Sequence, residues 1–325
     1  MILEKRTAMS AVFRAAQLCQ QVQTDMVQTD AVEKADRSPV TVADFGSQAL
    51  ICQAIGEAFP EDVIVAEEDS QALQENPQLM QRVTGYVDSF AAAIPSTQTV
   101  CDWIDRGGGE VGERFWTLDP IDGTKGFLRG DQYAIALALI VNGEVKLGVL
   151  GCPNLPQKLD DPQAQRGCLF VAERDKGTQM LPLDGQDSER IHISEATHRF
   201  AESVESTHSD LDTHAQIAQQ VGIIDPPIRM DGQGKYGVLA RGEASVYIRL
   251  PNPATPDYRE CIWDHAAGMI VVEEAGGVVT DVDGQALDFS QGRRMTGNRG
   301  ILATNGKLHP QLLECISSQS PLAVD

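Results

Sequence analysis

Apolar residues at Met9, Val12, Phe13, Ala16 and Cys19 recur every three or four positions, so the first segment is expected to form an amphipathic helix reaching roughly Val27. Ser38-Pro39 then breaks the chain, and a second helical run extends from Asp44 to Phe59, with Asp44 at its start as an N-cap. VIVAEEDS reads as a buried strand running into Glu67, Glu68 and Asp69. After a polar stretch of helix and loop from Gln71 to about Asp105, RFWTLD predicts a strand that ends in a tight turn. YAIALALIV and EVKLGVLG flank Asn142-Gly143, a strong hairpin signal that would place this turn on the edge of a sheet. From Cys152 to Asp187, Pro, Gly and polar residues interrupt short strands such as CLFVAE. Near Ile191 the pattern changes to alternating short strands and helices, so the domains are placed at 1–190 and 191–325. In the second domain, ESVESTHSD is a strand and RMDGQGKYGVLARGEASVYIRLP is a glycine-rich turn, a helix and a strand ending at Arg249. CIWDHAAGMIVVEEAGG puts Asp264 at the N-cap of an apolar helix, and GILATN is a late strand.

A chain of 325 residues suits about two domains, and 42% hydrophobic with 22% charged residues is the balance of a folded globular protein. The formal net charge of −21 argues against general affinity for nucleic acid or anionic membrane. It also sets a condition: a phosphate-bearing substrate requires bound cations and a local group of Lys and Arg to reverse the field. No stretch is apolar enough to span a bilayer, and the Ala-rich start carries Glu4 and reads as a helix rather than a targeting signal. A cytosolic protein is expected. The seven cysteines are scattered without a C-x-x-C pair, which fits reduced thiols and not zinc.

The chemistry concentrates in WTLDPIDGTKGFLR. Asp119 and Asp122 flank Pro120-Ile121, followed by Gly123 and the hydroxyl of Thr124, a set of oxygen ligands suited to a hard divalent cation. Pro120 biases Asp119 toward an extended backbone, and a helical turn after Thr124 would offer free N–H groups to a phosphate. Asp, Pro and Gly also make ordinary solvated turns, as Asp44 also serves a helix start and Glu67-Glu68-Asp69 a solvated acidic run.

Together SPVTVADFGSQAL, IVAEEDS, WTLDPIDGTKGFLRG and IWDHAAG resemble the four signatures of the lithium-sensitive, magnesium-dependent phosphatases that include inositol monophosphatases and fructose bisphosphatases. SPVTVAD, GTKGFLRG and WDHAAG resemble the 3′(2′),5′-bisphosphate nucleotidase branch, whereas inositol monophosphatases typically continue the central motif as GTTNF. The resemblance implies an αβαβα sandwich of the α/β layered class, with the active site between two domains, two or three Mg²⁺ ions, and hydrolysis of the 3′-phosphate of adenosine 3′,5′-bisphosphate, with PAPS as a further substrate. An inositol phosphate phosphatase is the alternative, and a catalytically dead metal-binding homologue a remoter one. It implies Glu67, Asp119 and the carbonyl of Ile121 for one metal, Asp119, Asp122 and Asp264 for a second, and Asp44 with Thr124 for water activation. It implies His208, Ser209, Gly232, Lys235 and Arg249, with Thr124 and Asp264, for the nucleotide. Where relatives often carry M-D-S-Q, this chain has Asp231-Gly232-Gln233, so a hydroxyl contact is missing there. The oligomeric state is left open.

Overall fold

The computed structural model describes residues 1–26, 31–33, 39–91, 93–183, 187–204, 211–252 and 254–319. Helix α1 (Ile2–Asp25) leads into a short antiparallel pair, β1 (Ala31–Glu33) and β2 (Pro39–Thr41), and then α2 (Val42–Ala58). Strand β3 (Val63–Ala66) is followed by α3 (Gln71–Glu75), α4 (Pro77–Phe90) and α5 (Thr97–Asp105), the last two capped by the side chains of Asn76 and Ser96. The long β4 (Arg114–Asp122) gives way to α6 (Thr124–Arg129), then to β5 (Ala134–Val141), β6 (Glu144–Pro156), β7 (Arg166–Glu173), β8 (Gly177–Pro182) and β9 (Glu189–Ile191). The remainder comprises β10 (Phe200–Glu202), α7 (Leu211–Gln220), β11 (Ile228–Arg229), α8 (Gly234–Ala240), β12 (Val246–Arg249), α9 (Ala266–Glu273), β13 (Val278–Thr280), β14 (Ile301–Thr304) and α10 (His309–Gln319).

The strands divide between a seven-stranded sheet in sequential order, β3 to β9, and a five-stranded sheet ordered β11-β10-β12-β14-β13. Three apolar clusters fill the spaces between layers. One lies between α1, α2 and the first sheet, where Trp116, Phe45 and Leu18 are fully buried; side chains of this kind contribute about 1.5–3 kcal/mol each. A second surrounds α8 and α9 and draws side chains from both sheets, from Phe170 to Ala303. The third joins the far face of the second sheet to α7 and α10. The order is therefore helix, sheet, helix, sheet, helix, the αβαβα class expected. Because α9 is apolar around most of its circumference, with Ala266 to Val272 all buried, it packs on both neighbours at once.

The β5–β6 hairpin turns at Asn142 and Gly143 with φ of 53° and 77°, both left-handed, as a two-residue hairpin matched to strand twist requires. One expectation fails. The acidic turn is not at a sheet edge, because β4 is flanked by β3 on one side and β5 on the other. The turn lies at the C-terminal end of an interior strand, where α/β folds commonly collect ligands.

Candidate active site

Along a regular strand, residues three apart face opposite sides, so Asp119 and Asp122 would diverge. Strand β4 avoids this with a bulge. Asp119 pairs with Ala136 and Asp122 with Ala134, so three steps on β4 match two on β5 and both aspartates take the same side. The strand thus continues through Pro120-Ile121 instead of ending before it. Ile121 anchors the bulge with a buried side chain, and its N–H donates to Asp119 Oδ1 at 3.1 Å. Ser47 Oγ donates to the Pro120 carbonyl at 2.9 Å and fixes the bulge to α2.

Helix α2 organises two further pieces. Its N-cap is Thr41, not Asp44; Asp44 occupies the third helical position and closes a capping box, with its Oδ2 accepting from Thr41 N at 2.8 Å and Thr41 Oγ1 at 2.5 Å. The sequence reading places the cap at Asp44, three residues too late. Asp44 Oδ1 is thereby aimed at Thr124, whose Oγ1 lies 3.3 Å from it and 3.2 Å from the Ile121 carbonyl oxygen. One turn further on, Gln48 Nε2 donates to the Glu68 carbonyl at 2.6 Å while its Oε1 accepts from Glu68 N at 3.0 Å. That pair sets the exit of β3, where Glu67 sits.

Asp264 arrives from the other direction. It ends a 3-10 turn, Ile262–Asp264, and His265 rather than Asp264 is the N-cap of α9. Burial, with the charges of Glu67, Asp122, Asp264 and Asp44 adding to it, pushes the Asp119 carboxyl well above the usual carboxylate range. Asp122 is pushed up to about 6 by burial, opposed by Lys235, Arg249 and a hydrogen bond from the Gln233 side chain. Asp264 is also pushed well up, by burial and by Asp122, Glu260 and Glu67, with Arg249 opposing. These carboxylates therefore stand within one another's fields.

The second half of the chain supplies cations to this place. Lys235 is buried; its Nζ donates to the Gly232 and Met230 carbonyls at 2.8 and 3.2 Å and lies 5.3 Å from the Tyr247 ring centre. Burial lowers its pKa to about 8, with Asp122 and Asp231 opposing and Arg249 reinforcing. Arg249 Nε lies 2.9 Å from Glu260 Oε1, and Glu260 Oε2 lies 3.3 Å from His265 Nε2, whose Nδ1 meets the Tyr236 hydroxyl at 2.8 Å. Gly232 has φ +68°, and a Cβ there would come within 2.2 Å of the Asp122 carbonyl oxygen, so this glycine is pressed against the backbone of the acidic turn. His208 and Ser209 lie outside the described residues.

Several participants carry no sequence signal of their own. Asp231 pairs with Arg129 across the two halves, and Gln233 Nε2 donates to the Trp263 carbonyl at 2.9 Å while its Oε1 accepts from Gly268 N at 3.0 Å. Arg293 donates to the carbonyl of Ala66, beside Glu67, and its guanidinium carbon lies 4.7 Å from the centre of the Trp263 ring, beside Asp264.

The donor set fits a hard divalent cation. Asp119, Asp122, Asp264, Glu67 and the Ile121 carbonyl offer oxygen alone, and the mutual repulsion read from Asp119 and Asp264 is what a cation removes. Glu260, Asp264 and His265 also place ligand atoms within 4.8 Å of one another. Arg249 already pairs with Glu260 in that group, whereas among the described residues Glu67, Asp119, Asp122 and Asp264 are not drawn that close in the metal-free protein, so the all-oxygen set is favoured by its donor chemistry alone.

The model of the inositol monophosphatase family matches residues 4–320 of the chain. A 3′(2′),5′-bisphosphate nucleotidase of Oryza sativa is 44% identical, covering 96% of this chain and 93% of its own length. Its counterpart in Schizosaccharomyces pombe is 41% identical over 98% and 97%. Among solved structures, a Thermotoga maritima IMPase aligns with a TM-score of 0.64 at 22% identity, covering 95% of this chain and 94% of its own. An inositol monophosphatase from Anabaena aligns with a TM-score of 0.61 at 20% identity, covering 98% and 96%. The last two likenesses establish the fold.

Proposed function

The chain belongs to the inositol monophosphatase family, and we propose that it is a 3′(2′),5′-bisphosphate nucleotidase, a metal-dependent phosphatase that hydrolyses the 3′-phosphate of adenosine 3′,5′-bisphosphate to AMP and phosphate. PAPS is a second substrate in this reading. Glu67, Asp119 and the Ile121 carbonyl would hold one Mg²⁺, and Asp119, Asp122 and Asp264 another, with Asp44 meeting a third through water. Ions held there would supply a lowered pKa for the attacking water and positive charge for the leaving oxygen, and Li⁺ would compete for them with half the charge.

The observation that carries the mechanism is the Asp44–Thr124 pair. The Thr124 hydroxyl is held between a carboxylate and a carbonyl, so it is oriented before substrate arrives. As water forms its bond to phosphorus, Thr124 Oγ1 takes the water proton and passes its own to Asp44 Oδ1. The ester P–O bond breaks and the 3′ oxygen leaves with a proton from solvent. Thr41 holds the other oxygen of Asp44, which keeps that carboxylate from rotating away.

Lys235 and Arg249 provide the positive field that an acidic protein needs to accept a second phosphate, with His208, Ser209 and the Gly232 backbone at the nucleotide. Both cations oppose the upward push that burial gives the Asp122 carboxyl, which supports a positive field at the acidic turn. Phosphate release in Mg²⁺ tests the reading directly. Adenosine 3′,5′-bisphosphate should be hydrolysed with a much higher kcat/KM than inositol 1-phosphate, and Lys235→Ala should narrow the gap by about one to two powers of ten, the worth of one charge-assisted contact. Equal efficiency on both substrates would move the assignment to an inositol phosphate phosphatase.

A further inference from the structure

The second half of the chain reaches the acidic turn through three consecutive residues, each with a different hold. Asp231 pairs with Arg129 at the end of α6. Gly232 abuts the Asp122 backbone. Gln233 is 2% exposed and uses both ends of its amide on the segment that bears Asp264: Nε2 on the Trp263 carbonyl at 2.9 Å, Oε1 on the Gly268 N–H at 3.0 Å. Through the adjoining Gly232 its backbone lies directly beside the Asp122 carbonyl.

Asp122 and Asp264 come from segments far apart in the chain, one at the end of β4 and one in the turn before α9. No hydrogen bond joins the two carboxyls directly, so their spacing is set by what holds each segment. A neutral amide can hold a carbonyl and an N–H on either side of Asp264 without adding charge, while Gly232 beside it keeps to the Asp122 backbone. Neither Lys nor Arg could do so without neutralising the site that a cation is to occupy.

We propose that Gln233 is a positioning residue that fixes the separation of Asp122 and Asp264 through its bonds to the Trp263 carbonyl and the Gly268 N–H, and so sets the affinity of the cation those two carboxylates share. The inference rests on the metal assignment given above. Partners behind the ligands of a metal commonly change its affinity by about 10–100-fold when removed.

The test is calorimetric titration of Mg²⁺ into the substrate-free full-length protein, together with the Mg²⁺ dependence of phosphate release. Gln233→Leu keeps the volume and removes the two hydrogen bonds; the Mg²⁺ site should weaken by about tenfold or more. Activity should be recovered to within a few-fold by raising Mg²⁺, with KM for the bisphosphate little changed. Thr178→Val is the control: it also removes a buried hydrogen bond to α9, Thr178 Oγ1 to the Val271 carbonyl at 2.8 Å, but does not reach the acidic turn. It should leave Mg²⁺ affinity unaltered. If Gln233→Leu fails to fold, Gln233→Met, which keeps the length and the neutral charge and loses both bonds, must show the same weakening. Wild-type Mg²⁺ affinity in either folded variant, or a loss of activity that saturating Mg²⁺ does not restore, overturns the proposal. A wild type that binds no Mg²⁺ would instead sink the metal assignment, which separates the two failures.

Discussion

The two ends of β4 carry carboxylates in opposite electrostatic situations. At the N-terminal end, Asp62 Oδ1 accepts from Arg114 Nε at 2.8 Å and Oδ2 accepts from the buried Trp116 indole at 2.9 Å, with Glu4 3.4 Å from the other side of Arg114. Each charge there meets its complement within the chain. At the C-terminal end, Asp119 and Asp122 are brought to the same side by the bulge and share their surroundings with Asp264 and Glu67. The first arrangement contributes to stability and asks nothing of the solvent. The second costs stability in the bare protein, a cost that a cation at the proposed site would offset, so the contrast separates carboxylates that hold the fold from carboxylates proposed to do the chemistry.

The sharpest way to break the contrast is Asp119→Asn. Phosphate release should fall by more than the roughly hundredfold expected for an outer-shell loss, because this carboxylate is assigned to both tight ions. In EDTA the same variant should melt at a higher temperature than the wild type, since the amide removes a charge the folded state disfavours. Wild-type turnover, or a lower melting temperature in EDTA, would show that Asp119 is matched internally as Asp62 is.

The next largest effect is a pH dependence of stabilisation by Mg²⁺. Asp122 is raised to about 6, and Asp119 and Asp264 are raised as well, so the metal-free folded state binds more protons than the unfolded chain across the range from about 4 upward. The stability those protons provide is present at low pH and lost as pH rises through the folded-state values. A cation binds the deprotonated form, so the gain in Tm on adding Mg²⁺ should be small at pH 5 and larger at pH 7.5. A gain independent of pH would contradict the shared-field picture.

The smallest effect belongs to the matched end. Asp62→Ala leaves the Trp116 indole N–H without its acceptor and should cost about 1–3 kcal/mol in thermal or urea unfolding, with kcat/KM unchanged within about twofold. A loss of activity exceeding the loss of stability would mean that the two ends communicate.

Much of this contrast was legible before any coordinates. The residues of the acidic turn and the hairpin at Asn142-Gly143 follow from local patterns, because each depends on neighbours in sequence, whereas the layer order comes from the family resemblance. Two misreadings were between adjacent local options, since Thr41 caps α2 instead of Asp44 and a 3-10 turn separates Asp264 from α9, while the sheet-edge placement failed because the parallel pairing of β3 with β4 is tertiary. What stayed invisible is tertiary. Gln48 and Ser47 face two other motifs only because α2 crosses them, and Asp231, Gln233, Glu260 and Arg293 owe their places to contacts spanning up to 227 positions. A buried Gln in a glycine-rich turn has no periodicity to betray it. Its neighbours Gly232 and Lys235 were singled out as substrate contacts, and the structure also gives both a packing reason, against Asp122 and the Met230–Gly232 backbone respectively.

The bulge makes the metal site a matter of parity. Asp119 and Asp122 agree in direction because an odd number of steps on one strand is set against an even number on the other. Replacing Pro120 or Ile121 by another residue keeps that count, whereas deleting either one lets the ladder close in regular register, with the aspartates two apart and Gly123 and Thr124 drawn one place back toward the strand. The carboxylates would still face one way, but Thr124 would leave the reach of Asp44. Evolution can therefore vary the composition of this turn more freely than its length, and comparison among relatives should find the number of residues between the two aspartates more constant than their identity.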